Sequence, residues 1–146
     1  MDTCAVLDLA ARRIGNPRAL RALDDAVSAR AAYVPSIVAL EIAQKVWTGR
    51  LQLAAFQQHA KPAEWFAAVL DWLDARELPL LASSASAAYE LPEPFHRDPA
   101  VRIIVAEART LDALLLTSDR KILAYAAQGH VQAIGYRPAL TPPPST

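Results

Sequence analysis

Four carboxylates stand inside apolar stretches or beside their ends, where acidic side chains are uncommon. They are Asp2, Glu41, Asp98 and Asp119. Burying an unpaired carboxylate costs several kcal/mol, so such a group takes up a proton, pairs with a cation or binds a metal. Mg²⁺ prefers oxygen ligands and keeps several waters, so a few acids around an open face suit it. These residue types therefore indicate a site in which a divalent cation polarises a phosphoryl oxygen and activates water.

Each of these acids also has a purely structural interpretation. Asp98 precedes Pro99, and Asp119 precedes a helical pattern, so both are natural helix N-caps. Glu41 has Lys45 one helical turn away as a modest partner. The residues alone leave open whether each acid is a cap, a surface charge or a metal ligand.

Composition limits the classes of protein to consider. The chain has 146 residues, a net charge of +0 and 53% hydrophobic residues, which favours one domain with a substantial core. Zero net charge argues against binding nucleic acid by bulk attraction, so any basic contact must be local. The single cysteine, Cys4, excludes an internal disulfide and a cysteine-based zinc site. The candidates for a local basic rim are Arg12, Arg13, Lys45, Arg50, Arg97, Arg102, Arg120 and Lys121.

Short apolar runs alternate with helical patterns along the chain. This alternation predicts an α/β fold with a central, mainly parallel sheet covered by helices on both faces, and function at the carboxyl ends of the strands. The run 4–7 fits either a buried strand or a first helical turn. The other expected strands are 33–35, 78–81, 113–116 and 131–134, and the expected helices are 18–32, 37–47, 51–60, 63–76, 83–89, one from Pro99, and 119–127.

The sequence also predicts the location of the protein and the bounds of its domain. No targeting signal and no apolar run of membrane-spanning length is visible, so we expect a cytoplasmic protein. Residues 1–136 are expected to form the domain. Residues 137–146 are rich in proline and are expected to form a flexible tail.

Four segments in order resemble a PIN-domain ribonuclease of the VapC toxin type. Asp2-Thr3-Cys4-Ala5 is similar to that family's opening strand with its first acid. The segment 34–51 is similar to the strand and helix that carry the second acid, Glu41. The segment 91–106 is similar to a family segment with His-x-Asp-Pro, and 114–119 to the strand that ends in the last acid.

This resemblance implies a three-layer α/β/α fold and an endoribonuclease that depends on Mg²⁺ or Mn²⁺. It implies that Asp2, Glu41, Asp98 and Asp119 hold the metal, with Thr117 or Ser118 assisting. It also implies a homodimer and neutralisation by a VapB-like antitoxin. The RNA would bind to the basic rim, chiefly to Lys45, Arg50, Arg97, Arg102 and Arg120.

Two departures from the family pattern keep other functions open. The family has an acid directly before the position of Arg102, where this chain has Val101, and only Met1 precedes Asp2. A catalytically weakened module that binds RNA or protein is therefore the main alternative. A receiver-like regulatory domain fits less well, because no lysine follows either late strand.

Overall fold

Short strands alternate with longer helices along residues 1–53 and 61–137, the parts of the chain that the computed structural model describes. The order confirms the α/β class expected from the sequence. The elements are α1 (Thr3–Ala10), α2 (Pro17–Ser28), β1 (Tyr33–Pro35), α3 (Ser36–Trp47), α4 (Pro62–Leu73), β2 (Arg76–Leu78), α5 (Ala82–Ala87), α6 (Pro99–Thr110), β3 (Leu115–Thr117), α7 (Arg120–Ala127) and β4 (Ala133–Gly135).

Both strand pairings are parallel, as the alternation of strands and helices predicts. β1 pairs with β2, with Val34 opposite Glu77, and β3 pairs with β4, with Leu116 opposite Ile134. The described strands form two separate pairs rather than one continuous sheet. β2 begins at Arg76, earlier than the expected 78–81, and it ends before Pro79, which has no N–H to donate to a neighbouring strand.

The chain passes between the two strand pairs at its first two residues. The Met1 ammonium donates to the Tyr33 carbonyl at 3.1 Å, and the Asp2 N–H donates to the Leu116 carbonyl at 3.3 Å. The opening strand implied by the family resemblance is not formed, because α1 already begins at Thr3. The open question at 4–7 is therefore resolved as a helix, which starts where the Asp2 carboxylate accepts the Ala5 N–H.

The core lies around α3, which packs against α1, α4 and α6. Val34, Val38, Ile42 and Val105 are fully buried there. Each lies on the inward face of its element, so packing of these branched side chains positions the strand ends. Within the described residues, no helix has the length and apolar character needed to cross a membrane.

Two expectations concern residues outside the described ranges. Most of the expected helix 51–60 falls on 54–60, and nearly all of the expected tail falls on 138–146. Tyr136, directly before that tail, is fully buried and donates a hydrogen bond to Asp8. The packed part of the chain therefore reaches at least this residue.

Glu107 is a buried carboxylate in this core without a hydrogen-bond partner among the described residues. Glu107 on α6 is 3% exposed, and neither of its oxygens makes a hydrogen bond within the described chain. Burial raises its pKa to about 7, while the nearby Ser84 hydroxyl and the Met1 ammonium oppose the rise. Because the unfolded side chain titrates near its ordinary value, the folded state keeps a proton that the unfolded state loses.

This linkage predicts a protein that loses stability between about pH 4.5 and pH 7. The cost of a carboxyl pKa raised to about 7 approaches roughly 3 kcal/mol above that range. We expect Glu107→Gln to remove this loss and to be more stable than the wild type at pH 8. Urea unfolding across pH 5–8 measures it, with the exposed Glu64→Gln as the control. Parallel pH profiles for all three proteins would contradict the assignment.

A candidate carboxylate site

Three of the four candidate acids are helix N-caps. Asp2 accepts the Ala5 N–H at 2.7 Å, Asp98 accepts the Ala100 N–H at 2.9 Å, and Asp119 accepts the Lys121 N–H at 2.7 Å. In each case the accepting atom is Oδ1. The capping interpretation of Asp98 and Asp119 is thus confirmed. Because a cap needs one oxygen, it leaves the second oxygen of each carboxylate for another role.

Thr117 joins two of these acids at the end of β3. Its side chain is fully buried, and its Oγ1 accepts the Asp119 N–H at 2.9 Å. The same hydroxyl lies close enough to the Asp2 carboxylate to lower the pKa of that group. One buried hydroxyl therefore contacts the Asp119 backbone and acts on the Asp2 side chain.

Asp2 has a raised pKa. Burial is the main cause, and the negative charge of Asp119 adds to it. The Thr117 hydroxyl, the Ala5 N–H and the amino terminus act in the opposite direction. Asp2 is only 7% exposed, so the protein keeps a carboxylate where its charge is unfavourable without a compensating cation.

Glu41 reaches the same region from α3. Its Oε2 accepts a hydrogen bond from the Thr3 hydroxyl. Burial raises the pKa of Glu41, and the charges of Asp98 and Asp2 raise it further. The four acids thus interact electrostatically although they come from four separate segments of the chain. Thr3 was not singled out from the sequence; its position directly after Asp2 was the available signal.

His96 also lies at this site, although it was not among the candidate residues from the sequence. Its Nε2 is 3.7 Å from the Asp119 Oδ2, and its Nδ1 accepts the Asp98 N–H at 3.1 Å. The ring therefore connects the segment before α6 to the acid before α7. The spacing His-x-Asp was the signal in the sequence, but a histidine in a proline-rich loop is usually exposed to solvent.

Arg102 does not belong to the basic rim, which corrects its assignment as an RNA contact. It is 5% exposed and forms an ion pair with Glu93 at 2.8 Å. Its guanidinium also donates to the carbonyls of Ala88 and His96. Arg102 therefore holds the loop that leads to Asp98 instead of facing solvent.

The other rim candidates differ in their surroundings. Lys45 is half-buried and Arg13 pairs with Asp8 at 3.3 Å. The remaining rim candidates are exposed: Arg12, Arg50, Arg97, Arg120 and Lys121.

Ser118, which was expected to assist the acids, hydrogen-bonds to the Tyr136 hydroxyl at 3.0 Å.

Val101 occupies the position where the family pattern has an acid, and it packs partly buried against the core. Asp98 lies one turn earlier, at the N-cap of α6, and is exposed. The donor chemistry fits a hard divalent cation, because all four acids offer carboxylate oxygens. Within residues 1–53 and 61–137, however, no three acid, histidine or cysteine side chains are gathered closely enough to hold a metal ion.

The fold and these acids define an α/β protein in which Asp2 and Asp119 lie near the carboxyl end of the parallel strand β3. The family model of the PIN domain matches residues 1–128, and the chain belongs to the PIN-domain family. PIN domains are generally nucleases that use divalent metal ions. No curated protein matches the chain.

The capping role of Asp119 and its candidate role as a metal ligand can be separated by substitution. Asparagine caps a helix as well as aspartate does, whereas alanine loses about 1 kcal/mol. We expect Asp119→Asn to keep the wild-type free energy of unfolding but to weaken Mn²⁺ binding, and Asp119→Ala to lose both. Urea unfolding and calorimetric Mn²⁺ titration measure the two effects, with the exposed Asp71→Asn as control. Unchanged Mn²⁺ affinity in both Asp119 variants would limit this residue to capping.

The buried contacts of Arg102 predict a structural effect. We expect Arg102→Met to lower the free energy of unfolding by about 2–4 kcal/mol, because the Ala88 and His96 carbonyls lose their donor. The exposed Arg97→Met should change it by less than about 0.5 kcal/mol. Chemical denaturation compares the two, and equal effects would mean that Arg102 does not fix the loop.

Proposed function

We propose that this protein is a metal-dependent endoribonuclease, the toxin of a VapBC-like toxin–antitoxin pair. The observation that carries the proposal is that acids from remote segments raise one another's pKa, with Asp119 acting on Asp2, and Asp98 and Asp2 acting on Glu41. Crowding of this kind raises the energy of the charged carboxylates, and a bound cation would offset it. The family supports nuclease activity in general, and the ribonuclease and toxin roles are our inference.

We assign Asp2, Glu41, Asp98 and Asp119 as the residues that would hold Mg²⁺ or Mn²⁺. Such an ion supplies polarisation of a phosphoryl oxygen and a bound water of lowered pKa. The Thr117 hydroxyl positions Asp2, and the Thr3 hydroxyl positions Glu41. The His96 Nε2 lies 3.7 Å from the Asp119 Oδ2. We keep Ser118 as an assisting residue, with its hydroxyl oriented by Tyr136.

The RNA is proposed to approach over the exposed basic residues. Arg50, Arg97 and Arg120 are exposed, while Lys45 shares α3 with Glu41. Their charge is local, because the chain as a whole is neutral. Contacts of this type bind the phosphate backbone, so binding should weaken as salt rises.

A homodimer and a VapB-like antitoxin are proposed on the basis of exposed apolar side chains. Leu40 and Trp47 are 64% and 86% exposed and lie two turns apart on α3, while Trp72 of α4 is 56% exposed. Large apolar groups in such positions are favoured in partner interfaces. We propose that the domain spans 1–136 and that the protein acts in the cytoplasm.

The alternative is a PIN-like module with weakened catalysis that binds RNA or a protein. Val101 favours it, because the helix presents a partly buried apolar group where the family pattern has an acid. Under this alternative, the protein binds RNA with similar affinity in Mn²⁺ and in a chelator and does not cleave it.

Cleavage of a labelled RNA with Mn²⁺ separates these functions. Glu41→Gln keeps an oxygen for the Thr3 hydroxyl but loses the charge, so we expect cleavage to fall about 100-fold or more with the fold retained. The exposed Glu64→Gln serves as the matched control. Circular dichroism checks the fold of each variant.

Two results would contradict the proposed chemistry. Cleavage that persists fully in EDTA would exclude a metal mechanism. Unchanged cleavage by Glu41→Gln would show that this acid is not part of the site.

A further inference from the structure

Two arginines from distant parts of the chain meet at one carboxylate. Arg13 follows α1, and Arg137 follows β4. The Arg13 Nε lies 3.3 Å from the Asp8 Oδ1, and an amino nitrogen of Arg137 lies 3.7 Å from the Asp8 Oδ2. Two guanidiniums therefore share a single carboxylate, so this cluster carries more positive than negative charge. We call Arg13 and Arg137 the arginine pair.

Backbone hydrogen bonds hold the arginine pair together. The Gly15 and Asn16 N–H groups donate to the Tyr136 carbonyl at 3.1 and 3.0 Å. The Asn16 side-chain amide also donates to the Gly135 carbonyl at 2.6 Å. These contacts join the segment after α1 to the segment after β4. The two arginines are therefore brought side by side by the fold, and not only by the reach of their own side chains.

The shared carboxylate orients the guanidiniums without enclosing them. The Asp8 side chain is only 16% exposed, and it accepts a hydrogen bond at 2.8 Å from the buried Tyr136 hydroxyl. The side chains of Arg13 and Arg137 are 64% and 67% exposed. Ion pairs this exposed contribute little to stability. Each guanidinium has five N–H donors, so most of them are available to a ligand.

The arginine pair lies next to the candidate acids. The Tyr136 hydroxyl, which contacts Asp8, also hydrogen-bonds to the Ser118 hydroxyl at 3.0 Å. The Tyr136 N–H donates to the Thr117 carbonyl at 3.3 Å. Thr117 ends β3, and Ser118 directly precedes Asp119. A strand of RNA at the acids can therefore extend to the arginine pair along the same end of β3.

The chemistry of the pair selects for a phosphate group. A guanidinium is planar and always charged, and it donates two parallel N–H bonds to the oxygens of one phosphate. Two guanidiniums held side by side can contact one phosphodiester together. Because the chain is neutral overall, such a local cluster is the kind of feature that could attract a polyanion to this face.

We propose that Arg13 and Arg137 form a clamp that binds a phosphate of the RNA backbone beside the acids. This inference rests on RNA as the substrate of the proposed function. It adds Arg137 to the proposed RNA contacts, although this residue lies beyond the residues 1–128 that the PIN-domain model matches. Asp8 and Tyr136 act as positioning residues, since they hold the guanidiniums and are not themselves placed on the RNA.

Fluorescence anisotropy with the full chain in EDTA tests the clamp. The probe is a fluorescein-labelled single-stranded RNA of about twelve nucleotides, a length within the usual range of single-strand sites. We expect Arg13→Gln/Arg137→Gln to bind at least about tenfold more weakly than the wild type, because charged hydrogen bonds are lost. The dependence of log Kd on log salt should become shallower by about 0.7, the contribution of one phosphate in a single strand.

Two further variants separate the clamp from bulk charge. Arg21→Gln/Arg76→Gln removes the same charge from two exposed arginines of α2 and β2, and we expect it to bind RNA like the wild type. Arg13→Lys/Arg137→Lys keeps the charge but loses the paired donors, so its affinity should fall at least about threefold with the salt dependence retained. The lysine variant also keeps cations beside Asp8, so it preserves the test if the glutamine variant does not fold.

Three results would overturn the proposal. The first is a wild type that does not bind the RNA saturably. The second is equal weakening by the Arg21→Gln/Arg76→Gln control, which would indicate bulk attraction. The third is wild-type affinity in the lysine variant, which would mean that the guanidinium geometry is not used.

The clamp and the nuclease proposal can fail separately. EDTA removes any metal, so the binding measurement does not depend on cleavage. A protein that binds RNA through the arginine pair but cleaves nothing in Mn²⁺ would contradict only the nuclease proposal. A protein that cleaves RNA in Mn²⁺, but whose arginine variants bind like the wild type, would contradict only the clamp.

Discussion

Burial of the Thr117 hydroxyl between Asp2 and Asp119 is the constraint on which the site depends. Thr117 ends β3, and its oxygen accepts from the Asp119 backbone while acting on the Asp2 carboxylate, whose pKa it lowers. The strand, the start of α1 and the start of α7 therefore meet at one fully buried atom. Few alternative positions of the two acids are compatible with this contact, because a buried hydroxyl without partners is costly.

Capping and metal binding are compatible because they use different atoms. Asp2, Asp98 and Asp119 each cap through Oδ1. A capping hydrogen bond fixes the side-chain rotamer of the carboxylate. Metal-binding side chains are commonly oriented by such additional hydrogen bonds. The local rules that start the helices thus also position the candidate ligands, so a helix start does not by itself argue against function.

Much of this arrangement follows from local sequence. Asp98 before Pro99 predicts a helix start, and Asp119 after an apolar strand predicts both a helix start and an acid at a strand end. Arg102 shows where such reasoning fails, since a charged residue gives no local sign that Glu93 and two carbonyls will enclose it. His96 and Glu107 depend likewise on contacts between distant segments. The described strands form two pairs and α1 begins at Thr3, and the apolar run 4–7 determines neither feature.

The most direct measurement of the central claim is anomalous X-ray scattering from crystals soaked in Mn²⁺. The account predicts one principal peak within bonding distance of Asp2, Glu41 and Asp119, with Asp98 turned toward it. Absence of a peak at saturating Mn²⁺, or a peak bound only by other residues, would contradict the claim that these acids form one metal site.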